Sequence, residues 1–108
     1  MTNPDRSKLA GQLHHEREAF SNARPRSRAL AEEAATHLVG GVPMTWMAKW
    51  AGGFPLYLAE ASGSRVTDVD GHSYVDFALG DTGAMAGHSP APTIEAIVRQ
   101  VEEVGGIT

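Results

Sequence analysis

Asp70-Gly71 sits between two short runs rich in β-branched and aromatic residues, Arg65 to Val69 and Ser73 to Phe77. Both residues of that dipeptide tolerate positive φ, which makes it a strong hairpin signal, so the flanking runs are expected to pair as antiparallel strands. Upstream, the alternation of Leu56 and Leu58 predicts a third strand. A chain that must turn back here has its local architecture set around that turn, and the remaining segments have to pack on it or lie beside it.

Those segments read as helices and glycine-rich connections. From Asp5 to Ala23, Leu9, Leu13 and Phe20 fall near one face with Ala10 beside them, which predicts a weakly amphipathic helix. Pro25 interrupts it. Ser27 is expected to cap a second helix carrying Leu30, Ala34 and Leu38, which Gly40-Gly41 ends by taking the left-handed C-cap conformation. Residues 42–53 hold both tryptophans, Trp46 and Trp50, without clear periodicity, and suggest a loop that packs against something large. Gly80 to Gly87 has too little side chain to build a core and reads as a loop where backbone comes close to neighbouring chain or ligand. Beyond it, Ser89-Pro90-Ala91-Pro92 opens a helix whose Ile94, Ile97, Val98, Val101 and Val104 form one apolar stripe, and Gly105-Gly106 closes it. The expected organisation is N-terminal helices over 1–41, a tryptophan loop over 42–53, antiparallel strands over 54–79, and the glycine loop with its helix over 80–108.

Composition narrows the possible roles. With 108 residues, a compact chain would bury roughly 60 to 70% of its unfolded surface. Only three Phe, two Trp and two Tyr supply large packing groups, so a thin core, or one completed by a partner, is expected. A formal charge of -4 argues against nucleic-acid binding, and the arginines that crowd into Arg17 to Arg28 are interleaved with or adjacent to Glu16, Glu18, Glu32 and Glu33. The absence of cysteine removes disulfides and thiolate zinc sites and fits a reducing cytoplasm. No run approaches the roughly 18 apolar residues of a membrane span.

Several motifs of chemical interest fail on spacing. Asp68-Val69-Asp70-Gly71 resembles the middle of a calcium loop, but Val66 and Phe77 occupy positions that need acidic residues. His14, His15, His37, His72 and His88 lack metal-ligand spacing, and no metal is expected. Gly80, Gly83 and Gly87 match neither common phosphate-binding pattern.

Taken together, Gly53-Phe54-Pro55-Leu56-Tyr57-Leu58, the run from Gly63 through Asp70-Gly71-His72 to Phe77, and Gly80-Asp81-Thr82-Gly83-Ala84-Met85-Ala86-Gly87-His88 resemble the opening of the class III aminotransferases. These are pyridoxal-phosphate (PLP) enzymes of the aspartate aminotransferase family that include glutamate-1-semialdehyde aminomutase, and they are several times longer than this chain. The resemblance implies an α/β fold, α+β locally: the N-terminal segment of a fold-type I PLP-dependent transferase, with N-terminal helices, a three-stranded antiparallel sheet and a following amphipathic helix. It implies PLP as cofactor of the complete enzyme, an amino acid or amine as substrate, a homodimer, and no nucleic-acid or membrane partner.

Such enzymes form a Schiff base through a lysine that the resemblance places well downstream, so neither Lys8 nor Lys49 inherits that role and no catalytic residue is expected here. The resemblance assigns substrate contact to Asp81, Thr82 and Gly83 in the glycine loop, and to Val42, Trp46 and Met47 beside the pocket. His88 ends that loop and is expected to orient it by hydrogen bonding. Several such enzymes carry an arginine in the run corresponding to Pro43-Met44-Thr45-Trp46-Met47; this chain has none there, which speaks against an aminomutase or an ordinary carboxylate-clamping specificity. The competing expectation is an interaction module that binds another chain through Trp46, Trp50 and the Ile94 to Val104 stripe. The close at Gly105-Gly106-Ile107-Thr108, with no polar cap, favours the enzyme segment.

Overall fold

The structure, a computed structural model, describes residues 5–80 and 83–106. The chain divides into two compact units at Tyr57 and Leu58.

The first unit begins with α1 (Arg6–Ala23), capped by the Asp5 carboxylate, which accepts hydrogen bonds from the Ser7 and Lys8 amides. A single residue, Arg24, separates it from α2 (Pro25–Ala34). Ser27 does not cap this helix: the fixed φ of Pro25 suits the first helical position, so the helix starts three residues before the point a Ser27 cap would set, and Ser27 is buried inside it. The helix also stops at Ala34, short of Gly40. Thr36 turns its hydroxyl onto the Glu33 carbonyl and its amide onto the same oxygen, a three-residue spacing that tightens the last turn and ends the α-helical pattern. Gly40 and Gly41 do adopt left-handed φ, within a short 3-10 turn over Val39–Gly41. A second 3-10 turn over Thr45–Ala48 lies inside the tryptophan segment.

Packing in this unit centres on Phe20. Its ring meets Phe54 at 5.0 Å between centroids, and the Arg24 guanidinium lies 4.4 Å over its face. Tyr57 donates its hydroxyl to the Leu30 carbonyl at 3.3 Å, tying the end of the segment to α2. Val42 is buried in this unit, whereas both tryptophans stay open. Trp46 is 65% exposed and Trp50 44%, so no described residue of the unit is the large surface that the tryptophan segment was expected to meet.

The second unit is a meander of β1 (Leu58–Ser62), β2 (Arg65–Asp68) and β3 (Ser73–Val75), all antiparallel in the order β1-β2-β3. The first strand starts at Leu58, and Leu56 lies outside it. Gly63-Ser64 makes the two-residue turn from β1 to β2, with Gly63 at φ 56°. The second turn departs from the simple two-residue expectation: only Gly71 is left-handed, and the Asp68 amide bonds the His72 carbonyl, leaving three residues in the loop. After the glycine loop, α3 (Ala91–Glu103) has Pro92 in its first turn and ends at Gly105 with φ 83°. Its stripe of Ile94, Ile97, Val98, Val101 and Val104 is 46% to 63% exposed. Among the described residues no helix is long and apolar enough to cross a membrane.

Candidate functional site

The glycine loop is held by one carboxylate. Asp76 follows β3, and its Oδ1 accepts the amides of Ala78 and Leu79 at 2.9 and 3.0 Å, a side-chain mimic of a backbone turn. Its Oδ2 meets Nε2 of His88 at 2.6 Å. His88 also exchanges both backbone hydrogen bonds with Gly63, at 2.9 and 2.8 Å, and Ser89 donates its hydroxyl to the Ala61 carbonyl at 2.7 Å. The loop's end is thus laid against the β1–β2 turn, as the orienting role expected of His88 requires. A side chain at Gly87 would lie 3.2 Å from the Gly63 backbone, so that approach needs glycine.

Within the loop, Ala84 is buried and gives its amide to the Leu79 carbonyl. Gly83 is exposed. Asp81 and Thr82, expected at the substrate, lie outside the described residues.

The supporting hairpin is organised by a second carboxylate. Asp68 is 1% exposed and accepts from the amides of Asp70 and His72, from Nδ1 of His72, and from the Tyr74 hydroxyl at 2.7 Å. Burial pushes its pKa up, but the Tyr74 hydroxyl and the His72 amide and ring outweigh that and hold it below the ordinary carboxyl range. Asp76 is also held low, first by His88 and then by the Leu79 amide.

A group with a folded pKa below its unfolded one contributes stability above the unfolded value and loses it as pH falls through the folded value. The sheet unit is therefore expected to be less stable at pH 3 than at pH 7, the loss falling below the ordinary carboxyl pKa of about 4. Urea titrations at the two pH values check this; equal or greater resistance at pH 3 would contradict it.

In the first unit, the structure places the other expected residues in two neighbouring clefts. Buried Val42 and half-buried Met47 line one of ≈ 140 Å³ with Pro55 and Tyr57. Met47 also lines a second, of ≈ 280 Å³, with Trp46, Lys49, Trp50, Pro55 and Leu56. Val42 and Met47 line the one and Trp46 and Met47 the other of two adjoining clefts, which share Met47, Pro55 and Leu56 as their common wall.

No known family profile matches the chain. It is similar to glutamate-1-semialdehyde 2,1-aminomutases: 35% identical over 79 residues to one from Geobacillus thermodenitrificans, covering 72% of this chain and 18% of that one. Another, from Persephonella marina, is 42% identical over 81 residues, 74% of this chain and 19% of that one. Among solved structures, an aminomutase from Pseudomonas aeruginosa in complex with PMP superposes with a TM-score of 0.83 at 43% identity, over 91% of this chain and 22% of that one. Its homologues are PLP-dependent enzymes. A β-phenylalanine aminotransferase from Variovorax paradoxus follows the same course, with a TM-score of 0.80 at 26% identity, over 93% of this chain and 24% of that one. The fold is therefore that of a partial, N-terminal segment of a fold-type I PLP-dependent aminotransferase. The chain spans about a fifth of the length of the curated relatives it matches.

The described residues do not build a PLP site of their own. Lys49 shares its cleft with apolar and aromatic groups, with no carboxylate to hold a protonated pyridine nitrogen and no arginine for a phosphate. Lys8 stands exposed on α1. No step of PLP chemistry follows from these side chains. What sequence reasoning missed is Asp76. Its local signal was available, a carboxylate two and three residues before amides it can cap, but its partner lies twelve residues on and no periodicity joins them.

Proposed function

We propose that this chain is the N-terminal segment of a class III PLP-dependent enzyme that transfers the amino group of an amino acid or amine, working as a cytoplasmic homodimer. The observation that carries the proposal is the 0.83 TM-score at 43% identity to a PMP-complexed aminomutase over 91% of this chain. In this reading the segment contributes pocket surface through Val42, Trp46 and Met47 and through loop residues Asp81, Thr82 and Gly83. The Schiff-base lysine and the phosphate donors come from elsewhere in the complete enzyme. The apolar stripe of α3 and the exposed tryptophans are where the segment meets the rest of that enzyme, since apolar faces left this open mark sites of association.

Two measurements test the proposal. The 108-residue chain, incubated with PLP and reduced with borohydride, is expected to show no stoichiometric adduct by mass spectrometry; one on Lys49 that disappears in Lys49→Ala would contradict the division of labour. The polypeptide purified from its source is expected to carry a PLP chromophore and to move amino groups between an amino acid and an oxo acid. Purified protein with neither property would refute the function itself.

A further inference from the structure

The glycine loop begins and ends in backbone conformations that ordinary residues avoid. Leu79 and Ser89, both at φ 52°, are the non-glycine residues with positive φ among those described, and they bracket residues 80–88. Left-handed φ is uncommon for a side chain such as leucine and persists only where surrounding contacts fix it. Here those contacts are specific. Leu79 gives its amide to Asp76 Oδ1, and Ser89 gives its hydroxyl to the Ala61 carbonyl. Asp76 reaches both ends at once, since its second oxygen holds His88.

We propose that Asp76 is a positioning residue, which through His88 fixes the two described ends of the glycine loop, at Leu79 and at His88. The carboxylate adds to the Gly63–His88 backbone pair and the Ser89 hydrogen bond in holding the loop's two ends at a fixed separation, and so narrows the conformations open to those ends. A carboxylate accepts only, so it requires the proton on Nε2 of His88 and thereby selects the ring tautomer. The short 2.6 Å contact fits a charge-assisted hydrogen bond of this kind. The side chains are 16% and 20% exposed, so water competes weakly for either partner. Calling the loop substrate-facing rests on the proposed function; the positioning itself does not.

The experiment reads the loop directly, by nitrogen-15 NMR of the 108-residue chain. In the wild type, His88 is expected to carry a proton on Nε2. In Asp76→Asn the new amide can donate to that nitrogen, and the ring is expected to move its proton to Nδ1, a signature that a purely structural loss would not produce. His88→Ala should accelerate hydrogen exchange at the Ala84 and Gly87 amides by about tenfold, the effect of one lost hydrogen bond. His88→Gln restores a donor and should recover most of that protection. The Asp68 and His72 amides, held in the separate Asp68 network, should change little in any variant. A wild-type ring protonated on Nδ1 alone, or loop amides unaffected by His88→Ala, would overturn the proposal. So would acceleration of loop and hairpin amides together in both His88 variants, since the pair would then support the fold at large. Failure to find PLP chemistry would leave these readouts unmoved, so the two ideas fail separately.

Discussion

Asp68→Ala is expected to destabilise the sheet unit by about 3 kcal/mol, since each buried donor left without an acceptor costs about 1–3 kcal/mol. The carboxylate is the acceptor for two backbone amides, an imidazole and a phenol that all converge on the β2–β3 turn. Alanine fills little of that space and accepts nothing. Half-buried Tyr74 and His72 can recruit some water, which is why the loss is put well below the sum of four separate bonds. A unit whose buried apolar residues, among those described, are Val66 in the sheet and Ala84 in the glycine loop has little stability in reserve, so this loss is expected to abolish the native β2 and β3 amide pattern in NMR spectra. Asp68→Asn keeps one acceptor oxygen and should cost less, and Tyr74→Phe, which removes one donor, about 1 kcal/mol. If Asp68→Ala unfolds in urea within 0.5 kcal/mol of wild type, the network is not what holds the turn.

The same hairpin shows what a sequence can and cannot disclose. Asp70-Gly71 and the flanking alternation specify two strands because turn chemistry and period 2 are local properties, and the helix over Ala91–Glu103 is legible for the same reason at period 3.6. Local competition explains the misplaced helix start. Ser27 and Pro25 are both plausible openers two residues apart, and the proline prevails because its φ is already helical. Other features are not local. Nothing in the spacing of Asp76 and His88 announces a contact across twelve residues, and nothing in the pattern of Trp46 and Trp50 tells a packed aromatic from an open one. Resemblance placed Val42, Trp46 and Met47 at a pocket; the structure brings them onto adjoining clefts of one unit.

Gly52→Ala is expected to cost the first unit about 1–3 kcal/mol, the range for forcing atoms into a packed site. A methyl group there would lie 2.5 to 2.7 Å from Cε1, Cδ1 and Cζ of Phe20. Such an overlap is cheap when the neighbour is the free end of a flexible chain. Phe20 is not: Phe54 stands on one side at 5.0 Å and the Arg24 guanidinium covers its face at 4.4 Å, so moving the ring disrupts both contacts. The clash thus converts one methyl into the loss of the cluster joining α1 to the segment before Tyr57. Trp50 lies two residues from the substitution, so its emission in urea titrations should report the loss. A double-mutant cycle identifies the cause. Phe20→Leu alone removes ring packing and destabilises, but in the Gly52→Ala background it also makes room for the methyl. The two changes together are therefore expected to cost less than their sum by about 1 kcal/mol or more. Simple additivity would mean that Gly52 is needed for its backbone alone and that Phe20 is not the wall against which this loop is shaped.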